Sequence, residues 1–217
     1  MAEEDRGPRT FREALPAFLT HGSPRVLLAA LLGAVAARAA LGGFTTWDLA
    51  PPVVILALWP LQEWLLHVFV LHAKPRRILG RELDGLVARK HRAHHREPWR
   101  ADLVLIPFHS FVYSLPILVG LCFLLTPTTR LALTALSFYL VLAVHYEWIH
   151  FLVHSRVRPL GPHYRRVWRN HRLHHFKNEH HWFGVTMRGG DVLLGTDPDP
   201  DDVPASPTAR TLGVEVA

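Results

Sequence analysis

The stretch LALTALSFYLVLAVHYEWIHFLV, residues 131–153, runs directly into His154 and decides the fold. A helix needs about 20 mostly apolar residues to cross a bilayer core, and this run meets that length while carrying histidines at its polar end. Working outward, three more runs of the same kind occupy residues 26–44, 52–70 and 103–125. The loops after the first and third are only Thr45-Thr46-Trp47-Asp48 and Pro127-Thr128-Thr129-Arg130. Spans one and two, and spans three and four, are therefore expected to be helical hairpins. Arg38 interrupts the first run near its end, where its side chain is expected to reach out to the interface. Pro60 is expected to kink the second run, while Pro107 and Pro116 fall in the third.

The charges orient this bundle. Lys and Arg concentrate before residue 26, between residues 73 and 100, and after residue 155, leaving only Arg38 and Arg130 elsewhere. Cytoplasmic loops are enriched in these residues, so both termini and the central loop are expected on the cytoplasmic side. The net charge of +6 has its explanation in this topology. No recognised nucleic-acid motif accompanies it, and no nucleic-acid partner is expected. The start, Met1-Ala2-Glu3-Glu4-Asp5, lacks the basic beginning of a cleavable signal peptide, so the first helix is expected to be retained. The single cysteine, Cys122, excludes a disulfide framework and a cysteine-ligated zinc site and reads as a small buried hydrophobe.

The histidines carry the chemistry. His91-x-x-His94-His95 and His171-x-x-His174-His175 repeat one pattern; His67 with His72 and His150 with His154 add two pairs. With 16 histidines in the chain, roughly 0.1 such triplets are expected by chance. Positions i, i+3 and i+4 share a helix face, so each triplet is expected to present three nitrogens to one site. His150 and His154 suit one metal. His67 and His72 lie about 140° apart on an ideal helix, so they must address different metals or straddle a helix end. All four clusters fall at the cytoplasmic ends of the spans under this topology. Ten imidazoles exceed what one ion can use and argue for two metals. A histidine-rich open site without thiolate suits iron that binds dioxygen, with zinc able to occupy it in purified protein.

Glu63 and Glu147 lie on the faces of His67 and His150 and are candidates to orient metal-bound imidazoles, as carboxylates commonly do. His21, His109 and His163, outside the clusters, read as packing residues. The basic side chains Arg89, Lys90, Arg92, Arg96, Arg165, Arg166 and Arg169 suit either anionic lipid contact or the headgroup of a substrate. Phe11, Leu15, Phe18 and Leu19 recur at helical spacing and mark a helix that either lies on the membrane or packs on the domain.

These residues resemble a known family. Glu63-Trp64-Leu65-Leu66-His67 through His72, His91-x-x-His94-His95 with Pro98, and Tyr146-Glu147-x-x-His150-x-x-x-His154 occur in the order of the fatty acid hydroxylase (sterol desaturase-like) superfamily. His171-x-x-His174-His175 follows, then Phe183-Gly184-Val185-Thr186, Asp191 and Gly195-Thr196. The compact spacing and the Phe-Gly-Val-Thr end are most similar to its fatty acid 2-hydroxylase branch. That resemblance implies a non-haem dimetal centre, a lipid substrate, dioxygen as co-substrate and electrons from a separate donor, a ferredoxin or a cytochrome with its reductase. Two further histidines found in some members are not clearly matched. Asn178 stands at one such place, and His145, His180 and His181 offer themselves as further ligands or as groups that orient ligands.

The expected protein is thus all-α and integral to the membrane, with four spans and a cytoplasmic histidine-rich cap. Residues 1–25 form a cytoplasmic segment, residues 26–195 the hydroxylase domain, and residues 196–217, acidic and proline-rich, a disordered tail. The expected activity is hydroxylation of an acyl chain near its carboxyl end. A carotenoid or sterol-type oxygenase of the same superfamily is the alternative, followed by a bis-histidine haem electron carrier.

Overall fold

Among the described residues, four helical stretches are long and apolar enough to cross a membrane: Gly22–Leu41, Thr46–Leu71, Ala101–Leu125 and Thr129–Val153. They belong to a computed structural model that describes residues 7–214. In chain order the helices are α1 (Phe11–Leu19), α2 (Gly22–Leu41), α3 (Ala50–Leu66), α4 (Leu86–Arg96), α5 (Ala101–Val104), α6 (Phe111–Leu125), α7 (Thr129–Val153), α8 (Pro162–Phe176) and α9 (Gly189–Leu193). The fold is an all-α membrane bundle, with one small exception between α3 and α4. There, strands β1 (Arg76–Ile78) and β2 (Arg81–Leu83) form an antiparallel hairpin. Its two turn residues, Leu79 and Gly80, both have positive φ (50° and 77°), the geometry that matches strand twist.

Helix α7 is the centre of the bundle, and α2, α3 and α6 all pack against it. Spans three and four are neighbours as expected. The first span is a correction, because α2 packs chiefly on α7 rather than pairing with α3. The contact buries Leu27 and Ala34 of α2 with Ala135, Leu136, Leu140 and Ala143 of α7, and Cys122 joins the same core. Small residues at such a seam let backbones approach closely where lipid supplies no hydrophobic drive.

Arg38 also differs from expectation. It is buried (4% exposed) and does not reach out to the interface. Its guanidinium binds Asp48 at 2.6 Å, Thr134 Oγ1 at 2.9 Å and the Gly42 carbonyl at 2.8 Å. A buried guanidinium is tolerable when a carboxylate and further acceptors satisfy it, and here they fasten the short loop before α3 to α7.

The third span is interrupted rather than continuous. Residues 105–107 leave the helix between α5 and a 3-10 turn, Phe108–Ser110. Pro107 has no N–H to give, and the freed Ile106 N–H donates to Glu147 Oε1 at 2.5 Å. Ser23 Oγ donates to the other oxygen of that carboxylate at 2.6 Å. Backbone groups at membrane depth need partners from within the protein, and Glu147 supplies one.

Helix α1 shows both faces of its two readings. Ala14 and Phe18 are buried, Phe18 lying edge-on to Trp148 at 5.2 Å, while Phe11, Leu15 and Leu19 are exposed. The segment after residue 195 overturns the expected disorder. It is packed as far as residue 214, with Val203, Ala209 and Leu212 at 4–5% exposure. Residues 1–6 and 215–217, the ends of the expected terminal segments, lie outside the described residues.

Candidate metal centre

The end of α3 explains the awkward spacing of the first pair. From His67 to Leu71 the helix widens into a π turn, closed by the His72 N–H donating to the His67 carbonyl at 3.0 Å. A π turn closes i to i+5, so two residues that an α-helix would splay are brought together, ring centroids 4.9 Å apart. His67 and His72 straddle the helix end and belong to one group.

The ten clustered histidines converge into two sets of five. His67, His72, His91, His95 and His174 form the first group; His94, His150, His154, His171 and His175 form the second. Within each, one nitrogen per ring lies within 4.8 Å of the others. Five nitrogens bound at about 2.1 Å to one ion span at most about 4.2 Å, so little tightening is needed. The groups share a wall, where His95 and His175 stack at 4.0 Å.

The division corrects the expectation that each triplet serves one site. His91 and His95 face the first group while His94 faces the second; His171 and His175 face the second while His174 faces the first. The reason is helical: i and i+4 lie about 40° apart, whereas i+3 falls on the other side of i. Helices α4 and α8 lie with their triplets facing, and each contributes to both sets.

The nitrogens fit a cation better than each other. His91 and His95 approach Nε2 to Nε2 at 3.2 Å, His72 and His174 at 3.2 Å, and His171 and His175 at 3.1 Å. Two lone pairs at that separation suit adjacent positions on one ion. Among the described residues, His67 Nε2, His150 Nε2 and both ring nitrogens of His94 and His154 are buried without a hydrogen-bond partner. Each unsatisfied buried polar atom costs about 1–3 kcal/mol, which a metal would offset. Burial pushes His72, His91, His94, His154, His171, His174 and His175 well below the usual histidine range, and His95 down to about 3. All eight are neutral near pH 7, the form that ligates.

Backbone carbonyls orient three rings of the first group. His67 Nδ1 donates to Phe183 O at 2.6 Å, His95 Nδ1 to Ala209 O at 2.8 Å, and His174 Nδ1 to His181 O at 2.8 Å. A carbonyl only accepts, so each ring is the Nδ1–H tautomer with its Nε2 lone pair free for metal.

The expected carboxylate partners act one step further out. Glu63 accepts from the Thr186 N–H at 2.9 Å, the Thr186 hydroxyl at 3.0 Å and the Met187 N–H at 3.2 Å. It fixes the loop whose Phe183 carbonyl holds His67. Asp191 anchors the same loop, accepting from Phe183 N at 2.9 Å and Gly184 N at 2.7 Å. Glu147 serves the interrupted third span, its two oxygens bonded to Ile106 N and Ser23 Oγ rather than to a clustered imidazole. His145 lies apart, with Tyr164 Oη 3.4 Å from its Nε2. Asn178 Nδ2 donates to Pro204 O at 3.1 Å and His180 is mostly exposed. His181 contributes its carbonyl rather than its ring. His163, at an exposed position, pairs with Thr186 O at 3.0 Å. In the basic cap, Arg92 is buried against Asp84 and Ala73 O, and Lys90 donates to Leu105 O at 2.8 Å; these two are committed to the fold.

Sequence reasoning missed Gly189 and Gly190, and placed Gly184 in a motif without seeing its close packing. A Cβ on Gly184 would sit 2.1 Å from Met187 O, and one on Gly190 would sit 2.3 Å from Pro60 O. Gly189, with a Cβ 3.0 Å from Pro60 Cβ, completes the close docking of α9 on α3. The Gly189-Gly190-Asp191 run was the available signal: small residues beside a buried carboxylate.

The fatty acid hydroxylase family model matches residues 52–196. Two dihydroceramide fatty acyl 2-hydroxylases of Arabidopsis thaliana are similar. One is 27% identical over 88% of this chain and 81% of its own length. The other is 28% identical over 64% of this chain and 57% of its own. Among solved structures, full-length Scs7p, in which only the hydroxylase domain is visible, shares the fold. Its TM-score is 0.61 at 24% identity, covering 94% of this chain and 72% of that one.

Proposed function

Because this chain belongs to the fatty acid hydroxylase family, and is thereby an oxidoreductase, we propose that it is a di-iron hydroxylase of a fatty acyl chain, acting near the carboxyl end. The observation that carries the proposal is the pair of five-imidazole groups, several of whose buried nitrogens have no hydrogen-bond partner among the described residues. The ten histidines named above would hold one iron each five. Bound there, iron would supply the activation of dioxygen needed to oxidise an unactivated C–H bond. The overall reaction, R–H + O2 + 2 electrons + 2 protons giving R–OH + H2O, needs reducing equivalents from a separate one-electron carrier.

The chain's own residues orient and shelter. Phe183, Ala209 and His181 fix three ligand rings through their carbonyls. A cavity of 180 Å³ between Thr20, His21, Trp99, Ala101 and Phe151 reaches His154. It lies where the spans end, the depth at which the carboxyl end of a chain lying in the bilayer arrives. Placement of this kind sets regiochemistry, since a misplacement of about 1 Å costs about 10²-fold. The exposed Arg165, Arg166 and Arg169 suit a negatively charged headgroup, and the charge bias favours a cytoplasmic site with both termini on that side. The acyl 2-hydroxylase activity of the two plant relatives favours an acyl chain over a carotenoid or sterol ring.

The test is mass spectrometry of lipids from cells with and without this protein, grown under ¹⁸O2. Gain of ¹⁸O-labelled 2-hydroxy acyl species is the expected result, and reconstitution should require ferrous iron and fail with zinc. Unchanged acyl lipids with a newly hydroxylated ring lipid would move the assignment to the carotenoid or sterol type.

A further inference from the structure

Residues 197–214 lie beyond the stretch that the family model matches, yet they reach the metal centre. The segment starts against the end of α8. Lys177 Nζ donates to Pro200 O at 2.5 Å, Ser206 N donates to Lys177 O at 2.7 Å, and the Thr208 hydroxyl bonds the Glu179 carboxylate. It then crosses to the end of α4. Arg210 Nε donates to His95 O at 2.6 Å, its Nη2 donates to Arg96 O, and its guanidinium lies 5.3 Å from the Phe176 ring centroid. Val203, Ala209 and Leu212 are buried beneath this path.

The strap therefore ties together the two helices that carry the histidine triplets, and its Ala209 carbonyl takes the Nδ1 proton of His95. We propose that residues 203–212 are a positioning element for the first histidine group, holding His95 as the Nδ1–H tautomer with Nε2 aimed at the ion. This rests on the reading of that group as a metal site. The effect is confined to one group. Among the described residues, Nδ1 of His94, His154, His171 and His175 in the second group has no hydrogen-bond partner, and His150 bonds to the backbone of Val104, so no ring there bonds to the strap. Without the Ala209 carbonyl, His95 is free to exchange tautomers and rotate, and Nε2 ceases to be a fixed ligand.

The full-length, metal-loaded protein in nanodiscs tests this by challenge with a chelator, following release of each ion. Arg210→Ala loosens the strap at its α4 end without shortening the chain; a chain ending at Asp202 removes the strap altogether. The expected result in both is loss of one ion about 10- to 100-fold faster, the usual effect of removing a ligand's outer partner. The second ion should leave at the unaltered rate. Arg210→Lys, which keeps one donor, should restore slow release. Release of both ions at the original rate from Arg210→Ala, or equal acceleration of both, overturns the proposal. His95→Ala separates the two levels. It should lose the same ion, and if it keeps both, the metal assignment of the first group is what fails.

Discussion

Replacing Glu63 tests the clasp that holds His67. Its carboxylate accepts three hydrogen bonds, from Thr186 N, Thr186 Oγ1 and Met187 N, in a residue only 5% exposed. In Glu63→Gln the amide oxygen can still serve Thr186, but its NH2 faces the Met187 N–H. One buried donor is then unsatisfied, at a cost of about 1–2 kcal/mol. Glu63→Ala removes both acceptor oxygens, and with them all three hydrogen bonds, and leaves a void, for about 3–6 kcal/mol by the same reckoning. The loop retains its Asp191 anchors at Phe183 and Gly184, so the Phe183 carbonyl shifts rather than departs. We expect the Gln variant to keep both ions and the Ala variant to lose the first-group ion about 10- to 100-fold faster. Thermal unfolding in detergent, paired with metal content after chelator challenge, reads both effects. An Ala variant with unchanged unfolding and both ions retained would refute the reasoning, because the clasp would then carry no force.

Three further outcomes follow from the geometry. His174→Ala should abolish turnover while the protein stays membrane-inserted, whereas His109→Ala, at an exposed position outside both groups, should retain activity; a hydroxylation assay on membranes compares them. Gly190→Ala should lower stability by about 1–3 kcal/mol, since its Cβ would meet Pro60 O at 2.3 Å and Trp64 Cβ at 2.8 Å, measured as a lower unfolding midpoint. The metal-free protein should lose stability on acidification below pH 6.5. The buried rings bind protons only well below that value, with His95 near 3, while the unfolded chain protonates from 6.5 downward. Each such ring contributes about 1.4 kcal/mol per pH unit in that window, and unfolding midpoints from pH 7 to 5 check it.

The four spans were legible because a bilayer demands long apolar runs, and residues 131–153 meet that demand without reference to their neighbours. The ten clustered histidines were legible because helical spacing and topology bring them to one face. What escaped depends on tertiary partners. The π turn at His67 leaves no mark in composition. The partition of His94 from His91 and His95 required knowing that another triplet faces it. Arg38 looked like an interfacial charge because Asp48 and Thr134, its partners, are distant in the chain or lie in a loop. The tail after residue 195 looked disordered because Asp and Pro dominate its first part. Its few anchors, Val203, Ala209 and Leu212, carry no periodicity.

Iron-edge anomalous diffraction from crystals of the iron-loaded protein tests the central claim most directly. The account predicts two peaks per chain. One should lie about 2 Å from ring nitrogens of His67, His72, His91, His95 and His174, and the other equally close to His94, His150, His154, His171 and His175. A single peak, or ions bound away from these ten rings, would contradict it.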